Sequence, residues 1–143
     1  MRKHPVDRFL VQEGMSIRDA LQRIEETERR TVFVVDGERR LRGVVTDGDI
    51  RRWLLDGGQI NVDLKRVVNP RPVHVAAGFD REELRERMIE LGATCVPIVD
   101  GEARVVDLVF WEDVFRDGDE RPRPPRIDAP VVIMAGGRGL RMA

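Results

Sequence analysis

The spacing of hydrophobic residues along the first half of the chain predicts a strand, a helix, two strands and a second helix. A short apolar run at residues 9–11 is followed by a helical pattern that begins at Ser16, a favoured N-cap residue. A β-branched apolar run comes next, at residues 31–35, and it is typical of a strand covered on both faces. The hairpin signal Asp36-Gly37 then leads into a further strand at residues 41–45. A short helix over residues 47–55 completes the unit, so the predicted order of elements is βαββα.

The second half of the chain repeats the first at a fixed offset of 64 positions, without a gap. Between residues 31–52 and 95–116, nine of the 22 aligned positions are identical. A gapless offset indicates that one unit was duplicated, and two copies are too few for a solenoid. The pattern therefore predicts a mixed α/β (α+β) fold. In it, tandem βαββα repeats at residues 6–58 and 64–118 form a pseudo-twofold pair with equivalent clefts between the halves.

Composition narrows the class of protein. The residues are 36% charged and 41% hydrophobic, the net charge is −1, and the arginines are interspersed with acids, so no nucleic-acid-binding surface is expected. No apolar run approaches the ~20 residues that span a bilayer, so no membrane association is expected either. The one cysteine, Cys95, falls in a predicted core strand, which excludes a disulfide framework and fits the reducing cytoplasm. The two histidines are far apart in the repeat, and no metal site is predicted.

Two stretches of sequence resemble a known family. Residues 43–52 read GVVTDGDIRR and residues 92–100 read GATCVPIVD. With these motifs the chain resembles a pair of CBS domains, named for cystathionine β-synthase, over about residues 6–118. The resemblance implies a homodimer, and a cleft for an adenosine nucleotide (AMP, ADP or ATP) that acts as a regulatory effector. The candidate ligand-binding residues of the cleft are Thr31, Val45, Thr46, Asp49, Arg51, Arg52 and Asp113.

The chemistry of the first motif suits a nucleotide. A carboxylate in the first turn of a helix is stabilised there by free N–H groups and the helix dipole, and the two oxygens of Asp49 can accept both hydroxyls of a ribose. Thr46 can cap the helix or bond a phosphate oxygen, and Arg51 and Arg52 offer forked donors to phosphate. The alternative is that Thr46 and Asp49 form only a capping box, which is the commoner meaning of this spacing.

The second repeat departs from the motif. Asp107 stands where the first repeat has a glycine, Phe110 stands in place of Thr46, and Trp111 adds bulk. Asp113 retains the carboxylate. The aromatic side chains either stack on a base or fill a pocket that no longer binds, and the second account is the simpler one. One competent cleft and one degenerate cleft are therefore expected.

The end of the chain changes in character. Residues 119–130 are charged and proline-rich, which is typical of a linker, and residues 131–143 read VVIMAGGRGLRMA. An apolar run that enters a glycine-rich turn lets backbone N–H groups approach a phosphate. This string resembles the opening strand and signature loop of sugar-1-phosphate nucleotidyltransferases, although Leu140 stands where threonine or serine is more usual. The resemblance implies that, in the parent enzyme, a Mg²⁺-dependent transferase, the nucleoside triphosphate is held by loop residues Ala135, Gly136, Gly137, Gly139 and Arg141.

These features predict an amino-terminal fragment that ends in the isolated first strand and loop of a Rossmann-like domain. The fragment itself is expected to hold no catalytic residue, metal or resident cofactor. The favoured function is a regulatory, nucleotide-sensing CBS module at the front of a sugar-1-phosphate nucleotidyltransferase. Two alternatives stay open: a structural dimerisation module without a ligand, and a CBS pair attached to another Rossmann-type domain.

Overall fold

The predicted order of elements occurs twice in the computed structural model, which describes residues 5–116. The strands are β1 (Leu10–Gln12), β2 (Thr31–Val35), β3 (Leu41–Thr46), β4 (Val75–Ala76), β5 (Cys95–Val99) and β6 (Val105–Phe110). The helices are α1 (Ile17–Thr27), α2 (Asp47–Leu55), α3 (Arg81–Leu91) and α4 (Trp111–Arg116), and 3-10 turns occupy Val6–Phe9 and Leu64–Arg66. No helix in this range is both long enough and apolar enough to span a membrane.

Some predicted features lie outside the described residues. These are the linker at 119–130 and the strand and loop at 131–143, including the candidate triphosphate-binding residues. The proposed boundaries of the two repeats also stay predictions.

Each repeat contains one three-stranded sheet, with the order β1-β2-β3 in the first and β4-β5-β6 in the second. The first strand of each sheet runs parallel to the second, and the third runs antiparallel to it. The register is repeated as well, since Thr31 faces Thr46 in one sheet and Cys95 faces Phe110 in the other. The predicted α+β class, with tandem βαββα repeats, is confirmed.

The two sheets meet at their hairpins about a pseudo-twofold axis. Arg40 forms an isolated antiparallel bridge with Arg104, its own counterpart at the offset of 64. Beside this bridge, the N–H of Leu41 donates to the carbonyl of Ala103, and the N–H of Val105 donates to the carbonyl of Arg39, both at 2.9 Å. A residue pairs with its own counterpart where two copies face each other about a twofold, so these bonds mark the axis of the predicted pair.

The hairpins themselves are organised by aspartate. The dipeptides Asp36-Gly37 and Asp100-Gly101 predict turns at these places, and both turns are present. The Oδ1 atom of each aspartate accepts hydrogen bonds of 2.9 Å from the backbone N–H groups two and four residues later. The residue in the left-handed region is not the glycine, however, because φ is 65° at Arg39 and 63° at Ala103.

Three hydrophobic clusters form the core. One lies within the first repeat and one within the second. The third lies between them, and both repeats supply its buried residues: Phe9, Leu10, Phe33, Val35, Cys95, Val99, Val105, Leu108 and Phe110. Because burial of such side chains contributes roughly 1.5–3 kcal/mol each, each repeat depends on the other for part of its stability.

The start of the second repeat, ahead of β4, packs along the first repeat. Val44 and Asn69 exchange two backbone hydrogen bonds, of 3.0 and 2.9 Å, and so cover the outer edge of β3. The close approach requires glycine at position 43. A Cβ atom on Gly43 would lie 2.7 Å from the carbonyl oxygen of Asn69 and would overlap the side chain of Val68.

Candidate functional site

A capping box begins α2 and uses two of the candidate residues. The Oγ1 atom of Thr46 accepts a hydrogen bond from the N–H of Asp49 at 3.2 Å. In return, Oδ2 of Asp49 accepts from the backbone N–H of Thr46 at 3.0 Å and from its hydroxyl at 2.8 Å. The capping role of the pair is therefore present in the structure, and its ligand-binding role stays a prediction.

Two arginines lie one turn further along the same helix, each beside a carboxylate. The Nη2 atom of Arg52 lies 2.5 Å from Oδ1 of Asp49, and that of Arg51 lies 3.2 Å from Oδ2 of Asp47. The arginine side chains are 71% and 68% exposed. Exposed ion pairs contribute little to stability, so either guanidinium can exchange its carboxylate for a phosphate at small cost.

The other two candidates of the first repeat differ in burial. Thr31 begins β2 directly opposite Thr46 and is half-buried. Val45 is completely buried in the core of the first repeat. A ligand can therefore contact Val45 only through its backbone, whereas the hydroxyl of Thr31 lies beside the capping box.

A cavity of about 440 Å³ lies between α1 and α2, and its charged lining residues are Arg30, Arg51, Asp47, Glu25 and Glu28; the others are apolar. Arg30 is not among the predicted site residues. Its carbonyl accepts the N–H of Asp47 at 3.0 Å, and its φ is 60°, so the backbone turns sharply just before β2. In the sequence, its position next to the candidate residue Thr31 could have pointed to Arg30. The cavity thus adds a second guanidinium near the start of α2.

The equivalent place in the second repeat is a cavity of about 550 Å³, lined among others by Arg29, Trp111 and Glu112. Phe110 is 2% exposed, its ring centroid lies 5.3 Å from that of Phe9, and Cζ of Arg29 lies 4.5 Å from its centroid. Nη1 of Arg29 also lies 2.6 Å from Oε1 of Glu112. Burial raises the pKa of Glu112, but the hydrogen bond from Arg29, a backbone hydrogen bond and the charge of Arg29 together outweigh it, so the pKa lies below its usual range. The second cleft thus has Phe110 in its wall and, beside its cavity, an ion pair that joins the two repeats.

Asp113 occupies the same place in α4 as Asp49 does in α2. Its Oδ2 atom accepts a hydrogen bond from the N–H of Phe110 at 3.1 Å, as Oδ2 of Asp49 does from the N–H of Thr46. Its backbone carbonyl accepts from Arg81 at 2.7 Å. The carboxylate is thus conserved in position between the two repeats, while its surroundings are not.

Several residues around the second cleft differ in size or polarity from their counterparts at the offset of 64. The pairs are Phe9 and Val73, Arg29 and Ala93, Phe110 and Thr46, and Glu112 and Gly48. Ala93, which is not among the predicted site residues, lines the same cavity as Arg29 and Glu112.

Two other kinds of chemistry receive little support. Burial raises the pKa of the Cys95 thiol far above its usual value, so this thiol stays protonated and serves as packing. Within residues 5–116, no three side chains of histidine, cysteine, aspartate or glutamate come together as a metal-binding group.

Comparison with protein families identifies the repeat. The family model of the CBS domain matches residues 1–56 and 64–118. The chain belongs to the CBS domain family. The capping box of Thr46 and Asp49 therefore stands in the first CBS domain, and Phe110 and Asp113 stand at the same positions of the second.

Curated relatives contain a similar CBS pair within longer chains. Arabinose 5-phosphate isomerase GutQ of Salmonella typhi is 27% identical over 103 residues, which are 72% of this chain and 32% of GutQ. The chain thus spans about a third of the length of this relative.

Solved structures share the arrangement of the pair. The cytosolic domain of the Mg²⁺ channel MgtE, in complex with ATP, is 29% identical with a TM-score of 0.61, over 73% of this chain and 42% of that one. CBSX2, in complex with AMP, has a TM-score of 0.66 over 80% of this chain and 90% of that one. At 21% identity, CBSX2 supports the fold alone.

Proposed function

We propose that this CBS pair is a regulatory module that senses an adenosine nucleotide, which it binds in the first cleft. The difference between the two clefts carries the proposal. In the first cleft, the hydroxyl of Thr46 and the carboxylate of Asp49 stand together at the start of α2, whereas in the second Phe110 replaces the threonine. The MgtE domain, which is 29% identical to this chain, was solved in complex with ATP, which supports an adenosine nucleotide as the ligand.

Each candidate residue has a definite role in this proposal. Asp49 accepts the hydroxyls of the ribose with the carboxylate that now bonds Thr46 and Arg52. Thr31 and Thr46 lie side by side and offer hydroxyl groups to the nucleotide. Arg51 and Arg52, with Arg30 at the adjoining cavity, supply donors for phosphate. No step of catalysis is assigned to these residues.

The test is calorimetric titration of the chain with AMP, ADP and ATP. Hydrogen bonds to a charged group contribute roughly 1.5–3 kcal/mol, so Asp49→Ala is expected to weaken nucleotide binding about 10- to 150-fold. Asp113→Ala is the matched control, because this carboxylate bonds the N–H of Phe110 at the same place in its repeat. We expect that control to change the affinity less than about threefold.

A second variant separates binding from capping. Asp49→Asn keeps an oxygen that can accept the N–H of Thr46 but removes the negative charge. It should therefore fold with nearly unchanged stability and still bind the nucleotide weakly. If the unaltered chain takes up none of the three nucleotides, the alternative of a purely structural dimerisation module stands instead.

For the whole protein we propose a sugar-1-phosphate nucleotidyltransferase that carries this pair as its regulatory domain and uses Mg²⁺. The proposal rests on the resemblance of residues 131–143 to the family's strand and loop. GutQ supports a different companion domain in the whole protein, because the region of GutQ that matches this chain belongs to a sugar-phosphate isomerase. Sequencing the gene beyond the codon for Ala143 decides between a nucleotidyltransferase domain, another Rossmann-type domain and neither. We also propose that the protein acts in the cytoplasm.

A further inference from the structure

We propose that Arg30 serves two cavities at once, so that a nucleotide phosphate bound in one of them lowers the affinity of the other for a second phosphate. The inference rests on the proposed function, since it takes the first cleft and its adjoining cavity as the nucleotide site. It goes further, because it says which residue sets how many nucleotides a chain holds.

Arg30 contributes to the walls of both cavities. It lines the cavity of about 440 Å³ between α1 and α2, called the first cavity here, and also the cavity of about 550 Å³ in the second repeat, called the second cavity. The forked donors of a guanidinium can face only one phosphate in good geometry. Two phosphates, one in each cavity, would therefore compete for this side chain.

Arg30 is also the available cation of each cavity. The other arginine of the first cavity, Arg51, donates to Asp47 at 3.2 Å. The other arginine of the second cavity, Arg29, donates to Glu112 at 2.6 Å. Within residues 5–116, no carboxylate forms an ion pair with Arg30. A phosphate can therefore bind Arg30 without displacing a carboxylate, which it cannot do at either of the other two arginines.

The acidic lining makes each cavity depend on this one residue. With Arg30 engaged elsewhere, the second cavity keeps the carboxylates of Glu28 and Glu112 against the guanidinium of Arg29 alone. The first cavity would keep three carboxylates against one guanidinium. Placing like charges side by side is costly, so a phosphate is disfavoured in whichever cavity Arg30 does not serve.

The pseudo-twofold supplies the variant that tests this sharing. The counterpart of Arg30 at the offset of 64 is Thr94, which is exposed and lines the second cavity. In the unaltered chain, calorimetric titration with ATP should show one site and a second at least about tenfold weaker, the usual effect of one lost hydrogen bond to a charged group.

Thr94→Arg gives the second cavity a guanidinium of its own, so the affinity for the second ATP should rise at least about tenfold. Thr94→Lys adds the same charge on a different side chain and should act in the same direction, which covers a failure of the first variant to fold. Thr94→Gln is the matched control, because it adds length without charge. This control should leave both affinities unchanged.

An exchange of the two residues gives a second line of evidence. In Arg30→Asn with Thr94→Arg, the available guanidinium belongs to the second cavity alone. Asparagine is chosen because it tolerates the left-handed φ of 60° at position 30. We expect ATP to prefer the second cavity in this variant. Trp111 lines that cavity, and with Trp53→Phe it is the one remaining tryptophan of the chain, so its fluorescence reports binding there.

The outcomes separate this inference from the proposed function. If the unaltered chain binds no ATP, the proposed function fails. If it binds two ATP molecules with equal affinity, the cavities do not share a cation and the inference fails while the proposed function stands. The inference also fails if the folded Thr94→Arg and Thr94→Lys variants bind the second ATP no better than Thr94→Gln does.

Discussion

Several residues other than glycine adopt a left-handed backbone. The two repeats place different residue types in this conformation at the end of their first helix. The residue that ends α1 is Glu28, with a φ of 57°, whereas its counterpart at the end of α3 is Gly92, with a φ of 63°. Glycine is the common residue at this position because it has no Cβ to clash. The first repeat therefore retains a small strain that the second has lost.

Glu28→Gly should stabilise the chain by about 0.5–1 kcal/mol, since removal of the Cβ penalty exceeds the added entropy of the unfolded chain. The matched control is Gly92→Ala, which should destabilise by about 1 kcal/mol. Urea unfolding followed by circular dichroism measures both. Equal effects of the same sign would contradict this account.

The aspartates of the two hairpin turns predict how stability depends on pH. The backbone hydrogen bonds from Arg40 and Arg104 are the largest cause that holds the pKa values of Asp36 and Asp100 below their usual 3.8. A carboxyl group with a lowered pKa in the folded state contributes stability above its unfolded pKa. That stability is lost as the pH falls through the folded pKa.

The double variant Asp36→Asn, Asp100→Asn should therefore show a shallower fall in the free energy of unfolding below about pH 4. At pH 7 it should be less stable than the unaltered chain. Urea titrations at several pH values give this profile, and an unchanged slope below pH 4 would refute the assignment.

At the scale of elements, the outer edges of the two sheets differ in what bonds their backbone N–H groups. The N–H of Val44 on β3 bonds the carbonyl of Asn69, whereas the N–H of its counterpart Leu108 bonds Oδ1 of Asp107 at 2.8 Å. The N–H of Leu108 is thus bonded by the side chain of Asp107, whereas the N–H of Val44 on β3 is bonded by the backbone of a neighbouring segment. Position 107 tolerates a side chain, and position 43 does not.

Gly43→Ala is accordingly expected to displace the start of the second repeat and to cost about 1–3 kcal/mol, the usual range for overpacking. Gly37→Ala is the control, because a Cβ there meets nothing within 4 Å. Thermal unfolding of the two variants compares them directly. A loss at Gly37 as large as at Gly43 would contradict the packing argument.

The positions of the helices could be predicted from the sequence, but the contacts within the clefts could not. Capping residues and hydrophobic period place α1 and α3 because both signals are local, and Ser16 and Asp80 do cap these helices. The partners of Phe110 could not be predicted, because Phe9 and Arg29 come from the other repeat, far away in sequence. The left-handed residue of the first hairpin is Arg39, because the side chain of Asp36 shapes the turn without needing the freedom of Gly37.

For the whole molecule, exposed apolar side chains indicate where a second copy would bind. They lie on α2 and at the end of α3, where Leu55 is 79% exposed and Ile89 is 57% exposed. The sequence also suggests Val114 and Phe115 as part of such a surface. That expectation is wrong for Val114, which is 3% exposed within the core of the second repeat.

We therefore expect a homodimer through these helix faces, with about twice the 16.4 kDa mass of the chain in sedimentation. Leu55→Glu with Ile89→Glu should give monomers, because each places a charge in the interface. Val106→Glu is the control, since Val106 is 51% exposed but lies on β6. A monomer at tens of micromolar for the unaltered chain would refute the dimer.

The bridge between Arg40 and Arg104 has a consequence for the ancestry of the chain. A bond between a residue and its own counterpart can be formed equally well by two separate copies of a half-length polypeptide. In such an assembly the genetic code allows only one residue at each position, so Phe9 and Val73, or Arg29 and Ala93, would have to be the same. The two sides of the pair would then be identical. A single chain that carries both repeats is free of that restriction, so its two sides can differ at these positions.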